Sequence, residues 1–575
     1  MAANPLDLLA ILGPEGRKAV EAEAEWIAVP AGRTLFHHGD PGNALYLVVS
    51  GSLGVYMPGP GDEPQLIGLI ESGETVGEMA LISGLPRSAT VTAIRDSELW
   101  RVTKARFDLL LKRQPELLAG LNRILVHRLR QVSRGQGTRI EPKTVAFLPA
   151  GKDIDPQGIA ERLSAEVTAL GYKVRLVGTE DAGRSSRWFH ELEKTHDHIF
   201  LCAALGDPAW IRLCARQADR IFIIARSRDP AGTALPRDLL AQRAAHQLLD
   251  LVLLHKDGSA APADANRWLE AIPVNRHFHL RLDNAEDWSR IARIVAGRAI
   301  GLVLSGGGAR AYAHVGVIRA IRDAGLPIDF LGGTSMGAII GAGLAMEWSI
   351  DELERRVHDA FVTSNPLNDY TLPLVSLVKG RKMERLFEEN FGWVRIPDLW
   401  RPYFCISSNL TSGDLHIHRR DRLTEALRAS VALPGVLPPK VVKDGVLVDG
   451  AVLNNLPVDV MRGTHRGPII AVDVARDRAM TPEMVALDRR RSWLSWIVEP
   501  PIVSILMRAG TVSGEPYLAE QARAADLLIE PPLGDIDIRN WRAFDQAVEI
   551  GYEHARQVLA SSGHLLRRQR RPQPT

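Results

Sequence analysis

Two glycine-rich turns, each set between an apolar run and a helix-like segment, constrain the fold of this sequence more than any other feature. The first turn, 306–310, follows the apolar run 300–304 and precedes a helical pattern. The second turn, 333–337, also follows a short apolar run and leads into a segment of small residues, 338–345. Each pattern predicts a buried strand, a sharp turn and a helix, which is the repeating unit of an α/β sheet.

The second turn contains a serine in a setting that favours nucleophilic chemistry. A serine between a strand and a helix is held out from the sheet and faces the positive end of the helix. Gly333 and Gly337 suit a turn whose backbones approach too closely for side chains, so Ser335 is the predicted nucleophile. An ordinary structural turn is the alternative for a single G-x-S-x-G motif. The upstream glycines favour catalysis, because N–H groups at a helix start can stabilise an oxyanion.

The group that would activate Ser335 is less evident from the residues alone. A Ser-His-Asp triad needs a histidine beside the serine and a carboxylate behind that histidine. Asp449 follows the apolar run 446–448 and is predicted at a strand end, where the site residues of α/β sheets converge.

Four histidines alternate in two strand-like segments, namely His277 with His279 and His416 with His418. Histidines at a spacing of two can bind a metal ion, but no cysteine or further carboxylate completes either set. We therefore expect solvated strand histidines and no metal site.

Taken together, these motifs resemble the patatin-like phospholipases. The matching residues are Gly306, Gly307, Gly308, Ala309 and Arg310 in the first turn, Gly333, Ser335 and Gly337 in the second, and Asp449, Gly450 and Ala451. The resemblance implies a Ser/Asp dyad without histidine, in which Asp449 takes the proton of Ser335 and returns it to the leaving group. It also implies that the loop 306–310 forms the oxyanion hole and that catalysis needs no cofactor.

Further segments, 428–430, 434–435 and 454–457, also resemble that family and are interpreted as supporting scaffold. Ala311 departs from the family pattern, which has glycine after the arginine.

The amino-terminal region has short strand-like runs separated by glycines, which predicts a β-rich module with tight turns. It resembles the cyclic-nucleotide-binding domains through Gly77, Glu78, Arg87, Ser88 and Ala89. A short helix start would direct N–H groups at a phosphate, Arg87 would pair with it, and Glu78 would accept from sugar hydroxyls. A surface Glu/Arg pair is the alternative. We expect cAMP or cGMP as a regulatory ligand.

Between these regions, short apolar strands alternate with helical stretches, which predicts a parallel α/β domain. The segment 150–152 lacks the leading glycine and the Ser/Thr of a nucleotide P-loop, so we assign this domain no chemistry and expect it to couple sensor to hydrolase. The predicted fold is thus multidomain, with a β-roll at 1–138, an α/β spacer at 139–295 and an α/β hydrolase at 296–575.

The order of these domains resembles the neuropathy target esterase family, including its bacterial members. That resemblance implies a phospholipid or lysophospholipid substrate. The alternative is a nucleotide-sensing scaffold with a weak or inactive hydrolase domain, for which Ala311 is the one supporting feature. A transcription regulator is disfavoured, because an α/β domain takes the place of a DNA-binding module.

Composition and charge limit the remaining possibilities. A net charge of +2 gives no nucleic-acid signature, and three cysteines favour a reducing compartment without disulfides. The start lacks a signal-peptide pattern and no run approaches the roughly 20 apolar residues of a membrane span, so we expect a cytoplasmic protein. The segment 493–507, with two tryptophans, is a candidate for peripheral contact with the inner face of the membrane, and a lid or a buried element is the alternative. The arginine-rich tail 567–571 is interpreted as a solvated end, with contact to anionic lipid as the alternative.

Overall fold

The computed structural model describes residues 7–58, 64–133, 142–151, 153–204, 206–231, 247–256, 258–371, 375–465, 467–475, 515–562 and 564. The candidate membrane segment 493–507 and the tail 567–571 lie outside these residues. The chain divides into two compact units, 1–252 with 570–575, and 253–569.

The amino-terminal part of the first unit is a β-roll of two four-stranded sheets. Its strands are β1 (Glu25–Val29), β2 (Thr34–Phe36), β3 (Ala44–Ser50), β4 (Leu53–Pro58), β5 (Pro64–Ile70), β6 (Thr75–Val76), β7 (Thr90–Ala93) and β8 (Ser97–Thr103). The strand orders are β1-β8-β3-β6 and β2-β7-β4-β5, with antiparallel pairing. The helices are Leu8–Glu23, Glu78–Ser83, Lys104–Arg113 and Glu116–Ser133. Apolar side chains alternate inward and fill the space between the sheets.

The predicted α/β domain follows in the same unit. Its strands are β9 (Thr144–Pro149), β10 (Val174–Val177), β11 (His198–Cys202), β12 (Arg220–Arg226) and β13 (Leu248–His255), in the order β10-β11-β9-β12-β13. Its helices are Pro156–Ala169, Ser186–Thr195 and Pro208–Gln217, with a 3-10 turn at Thr179–Asp181. The pairs β10-β11, β11-β9 and β12-β9 are parallel, as continuous apolar strands alternating with helices predict.

The second unit is built around one mixed sheet. The strands of this sheet are β15 (Gly301–Leu304), β16 (Phe330–Gly333), β17 (Tyr403–Asn409), β18 (Leu415–His418), β19 (Lys440–Val442), β20 (Gly445–Asp449), β21 (Ile469–Val472) and β22 (Leu527–Ile529). The strand β14 (Arg276–Arg281) also lies in the second unit but is not part of this sheet. The main sheet has the order β19-β20-β17-β16-β15-β21-β22, and β18 pairs with β17. The four central strands β17, β16, β15 and β21 are parallel, whereas β18, β19 and β20 run antiparallel to their neighbours.

Helices surround this sheet, and several of them contribute to a large hydrophobic core. They are Ala265–Ala271, Ala285–Val295, Ala313–Asp323, Met336–Ala345, Ile350–His358, Arg381–Phe391, Leu423–Ser430, Val458–Thr464, Glu515–Ala524 and Phe544–Ser562. Single turns of 3-10 helix lie at Gly308–Tyr312, Ile396–Asp398 and Gly450–Val452, and a π-helical turn at Asp359–Thr363. Among the described residues, none of the helices combines the length and the apolar character that crossing a membrane requires.

The expectation of solvated histidines is wrong for at least two of the four. His418 is buried and lies 2.7 Å from the Ser407 hydroxyl, while His279 is buried and donates from Nε2 to the Pro397 carbonyl at 2.7 Å. His277 donates to the same carbonyl at 2.8 Å. Alternation placed each pair on one face correctly, but it could not report that the face is covered.

Candidate active site and nucleotide site

The sheet brings the two glycine-rich turns together. Leu304 at the end of β15 pairs with Gly333 at the end of the parallel strand β16, so both turns leave the same edge of the sheet side by side. Parallel neighbours with coincident carboxyl ends are the usual place for a site in α/β folds.

Ser335 sits in a strained turn directly before the helix Met336–Ala345. Its φ of 55° and ψ of −126° lie in a region that non-glycine residues rarely occupy. A Cβ on Gly337 would overlap the carbonyl oxygens of Leu304 and Ser305, so only glycine allows this approach. The packing therefore holds the Ser335 hydroxyl at the amino end of the helix, where the helix dipole favours negative charge.

Asp449 lies within hydrogen-bond reach of the serine. The Ser335 hydroxyl donates to Asp449 Oδ2 at 2.7 Å, and Asp449 Oδ1 accepts from the Ala451 N–H at 2.9 Å. Asp449 ends β20 and is fully buried. Each carboxylate oxygen thus has a defined partner, which fixes the carboxylate plane relative to the serine oxygen.

Some N–H groups of the loop 306–310 form hydrogen bonds that hold the loop in place, and others are free to bind a ligand. The Gly306 N–H donates to Asn455 Oδ1 at 3.1 Å and the Ala309 N–H donates to the Ile538 carbonyl at 2.8 Å. The N–H groups of Gly307 and Gly308 meet no acceptor within the described part of the chain. These two N–H groups are the free donors of the predicted oxyanion hole.

The side chain of Arg310 also anchors the loop 306–310. Its Nε donates to the Ile536 carbonyl at 2.7 Å and Nη2 donates to the Gly534 carbonyl at 3.3 Å. Ala311, which departs from the family pattern, is buried and belongs to the hydrophobic core. Its methyl group is therefore accommodated by packing.

Three further residues fix this geometry, and their individual contacts were not predicted from the sequence. Asn455 also donates from Nδ2 to the Gly306 carbonyl at 3.1 Å, so it holds that peptide from both sides. The Ser430 hydroxyl accepts from the Ser335 N–H at 3.0 Å. His314 donates from Nε2 to the Ser305 carbonyl at 2.8 Å, and burial lowers its pKa to about 4. The segments 428–430 and 454–457 carried a signal for the first two, but motif spacing does not say which atom bonds to which.

The residues of the predicted nucleotide site also lie together, around the short helix Glu78–Ser83. Arg87 is buried and donates to the carbonyls of Gly77 at 2.9 Å and Ala44 at 2.8 Å, and its guanidinium lies 4.1 Å from the Phe36 ring centroid. Its Nε is buried and has no acceptor among the described residues.

Glu78 lies at the start of that helix and forms an ion pair with Arg128. Its Oε1 accepts from Arg128 at 2.8 Å. Burial raises the pKa of Glu78, although the charge of Arg128 opposes the shift. Ser88 is exposed and Ala89 is buried. The residues of the predicted nucleotide site thus lie together as a cassette, and both of its charged residues, Glu78 and Arg87, form hydrogen bonds within the protein.

Comparison with known proteins gives each of the three regions a family. Residues 26–114 match the cyclic nucleotide-binding domain, residues 141–299 match the neuropathy target esterase family P-loop like domain, and residues 302–462 match the patatin-like phospholipase family. These matches confirm the predicted kinds of fold and their order. The P-loop like description is given to the domain in which the sequence lacks the nucleotide-binding residues of a P-loop.

Several relatives are similar to this chain over nearly its whole length, and not only over single domains. The chain is 30% identical over 98% of its length to an NTE family protein of Mycobacterium tuberculosis, and the alignment covers 97% of that protein. It is 28% identical to patatin-like phospholipase domain-containing protein 6 of Homo sapiens and 29% identical to neuropathy target esterase sws of Drosophila melanogaster, over 94% of this chain in each case. It spans only 45% and 43% of the length of those two animal proteins. With a patatin-like phospholipase domain behind a cyclic nucleotide-binding domain, the chain belongs to the NTE family.

Proposed function

We propose that this protein is a serine hydrolase that cleaves the acyl ester bonds of phospholipids or lysophospholipids through a Ser335/Asp449 dyad. The observation that carries the proposal is the 2.7 Å hydrogen bond between Ser335 and Asp449 in a strained strand-to-helix turn. A hydroxyl held at this distance from a carboxylate, beside free N–H groups, is suited to acyl transfer. The ester class of the substrate rests on the relatives named as patatin-like phospholipases and neuropathy target esterase.

The chemistry follows from these positions. As Ser335 Oγ attacks the ester carbonyl, its proton passes to Asp449, and the carbonyl oxygen becomes an oxyanion facing the N–H groups of Gly307 and Gly308. The leaving alcohol takes the proton from Asp449 as the C–O bond breaks, which leaves an acyl-Ser335 ester. Water then attacks that ester, gives a proton to Asp449 and releases the fatty acid, while Ser335 recovers its proton.

The test uses the full-length protein with a fluorophosphonate probe and with lysophosphatidylcholine as substrate. We expect Ser335→Ala to lose labelling and fatty-acid release. We expect Asp449→Asn to reduce kcat by roughly 10²- to 10⁴-fold, the usual contribution of a general base. Ser364→Ala, which removes an exposed hydroxyl of the same unit, is the matched control. Full turnover in Asp449→Asn, with its fold intact by circular dichroism, would rule out the dyad.

We also propose that a cyclic nucleotide binds the β-roll and regulates hydrolysis. Support comes from the match to the cyclic nucleotide-binding domain and from the assembled cassette of Glu78 and Arg87. Phosphate binding would give the unpartnered Arg87 Nε an acceptor.

Fluorescent cAMP and cGMP analogues test this second proposal directly. We expect Arg87→Lys to weaken binding, because lysine cannot form the planar multiple contacts of a guanidinium. Arg101→Lys, in a surface pair with Glu25, is the control. Equal affinity for the analogue in both variants would contradict the proposed site.

A further inference from the structure

A second cluster of polar side chains lies on β18, beside the strand that pairs with the catalytic aspartate. His416 and His418 are two residues apart on this strand and share a face, with ring centroids 4.5 Å apart. Asp421 follows in the next turn, and its Oδ2 lies 2.8 Å from His418 Nδ1. The turn after β18 thus supplies a carboxylate beside the two histidines, whereas the sequence was expected to offer none.

We propose that His416, His418 and Asp421 form a binding site for a divalent transition-metal ion of the zinc type. One ligand atom from each residue lies within 4.8 Å of the other two. A tetrahedral zinc ion with bonds of about 2.0–2.1 Å needs its ligand atoms about 3.3 Å apart. Closing the widest gap therefore takes a shift of at most about 1.5 Å, which side-chain rotation of the partly exposed His416 can supply.

The hydrogen bonds around His418 match what a metal-binding histidine requires. Its Nε2 lies 2.7 Å from the hydroxyl of the buried Ser407, on the opposite side of the ring from Asp421. A metal on Nδ1 leaves the proton on Nε2, which can donate to Ser407. Metal-binding histidines usually have such a partner on the second nitrogen, because it fixes both the tautomer and the ring orientation.

The state of His416 also favours a metal. Its ring forms no hydrogen bond to any described residue. Its ring nitrogens are therefore open to a cation, and the neighbouring carboxylate of Asp421 attracts one.

The ligand types narrow the choice of ion. Two imidazoles and one carboxylate suit zinc, cobalt or ferrous iron, whereas calcium and magnesium prefer oxygen ligands. Three protein ligands leave a position open for water. The site shares its sheet face with the candidate dyad, since Ser407 pairs directly with Asp449 in the antiparallel register of β17 and β20.

The test starts from untagged full-length protein that has been treated with a chelator. Binding of Co²⁺ is monitored by visible absorption, and binding of Zn²⁺ is measured by isothermal titration calorimetry. We expect one ion per chain and the intense absorption of four-coordinate Co²⁺. His416→Ala and Asp421→Asn should each weaken binding by tenfold or more. His358→Ala is the matched control, because His358, which is partly exposed like His416, also has a carboxylate nearby, Asp359, at 3.7 Å.

Each variant is first melted without metal to establish that it folds as the wild type does. A rise in melting temperature with Zn²⁺ that is lost in His416→Ala but kept in His358→Ala would support the site independently of activity. Absence of stoichiometric binding, or equal affinity in all three variants, would overturn it. Ser407, His418 and Asp421 would then form a hydrogen-bonded chain only.

Discussion

At the scale of single residues, the candidate site depends on groups that never touch the ester. Asn455 holds both the N–H and the carbonyl of Gly306, at 3.1 Å each, so it sets the orientation of the peptide that precedes the free donors. Ser430 fixes the backbone of Ser335 in the same way. Oxyanion stabilisation depends on donors that are already in place, so a small rotation of this loop is costly.

We therefore expect Asn455→Ala to lower kcat by about 10- to 100-fold with little change in KM, which is less than the loss of a direct oxyanion donor. Steady-state kinetics and the rate of fluorophosphonate labelling measure the effect. Asn390→Ala removes an asparagine with its own hydrogen bonds on another helix and is the control. Unchanged kcat in Asn455→Ala would show that the loop holds its shape without this side chain.

His314 gives the same region a dependence on pH. Its folded pKa of about 4 lies below the ordinary value of 6.5, because burial disfavours the charged ring. Above pH 6.5 the ring is neutral in both states, whereas below it the unfolded chain takes up a proton that the folded chain excludes. Stability is therefore lost as the pH falls from 6.5 towards 4, by about 3 kcal/mol over that range.

The comparison with His314→Gln isolates this contribution. At pH 7.5 we expect the variant to be less stable than the wild type, because the hydrogen bond to the Ser305 carbonyl is altered. The difference in melting temperature should shrink as the pH is lowered to 5. His358→Gln, at a partly exposed position, should show no such convergence. A constant difference across the range would contradict the expected titration.

At the scale of elements, the strand-turn-helix units were predictable and the contacts between distant segments were not. The apolar run 300–304 became β15 at Gly301–Leu304, and the small-residue segment became the helix Met336–Ala345. Local pattern determines such units. The short apolar run before the second turn, 328–331, overlaps the strand Phe330–Gly333 only in part, because pairing with β15 sets the strand limits.

The same contrast holds for the site. The candidate dyad residues were identified from motifs shared with a known family, whereas the Ile536 and Ile538 carbonyls that hold the loop 306–310 lie more than 220 residues away in sequence. Likewise, an alternating pattern predicted that His416 and His418 face the same way, but it could not predict the contact of His418 with Ser407 of the neighbouring strand.

The segment 534–538, which holds the loop 306–310, is followed by a helix that packs closely against the helix after that loop. The helices Ala313–Asp323 and Phe544–Ser562 approach so closely that a Cβ on Gly316 would overlap the Val548 carbonyl oxygen. We expect Gly316→Ala to destabilise the fold by about 1–3 kcal/mol or more, the usual cost of overpacking, and to lower kcat by shifting the 534–538 segment.

Gly463→Ala is the matched control for that crossing. Gly463 is also helical, and a Cβ there meets nothing within 4 Å, so the exchange should be neutral or stabilising. Thermal melts and turnover of both variants measure the difference. Equal melting temperatures would mean that the two helices separate without cost.

At the scale of the whole molecule, a nucleotide bound to the β-roll could regulate hydrolysis only through contacts that connect the β-roll to the rest of the chain. Arg95, in the turn between β7 and β8, is paired with Glu193 and lies 2.5 Å from Asp219 of the α/β domain, and all three belong to the first unit. Asp219 also accepts the N–H groups of Lys143 at 2.8 Å and Thr144 at 3.0 Å, at the start of β9. Burial raises the pKa of Asp219, but the charge of Arg95 and these hydrogen bonds outweigh burial and hold it below the ordinary value.

We expect Arg95→Met to keep nucleotide binding but to lose the nucleotide effect on hydrolysis, because the methionine fills space without holding Asp219. The variant should also be less stable by about 3–5 kcal/mol, since the buried Asp219 carboxylate would lose its positively charged partner. Arg101→Met, at a surface pair, should leave both properties unchanged.

The double variant Arg95→Met/Asp219→Asn separates these two effects. Replacing the unpaired carboxylate by an amide should recover part of the lost stability, because the buried charge is gone. It cannot restore an ion pair between the domains, so the nucleotide response should stay absent. Recovery of the melting temperature together with the response would mean that stability alone governs the signal, whereas recovery of stability without the response would assign the coupling to the Arg95–Asp219 contact.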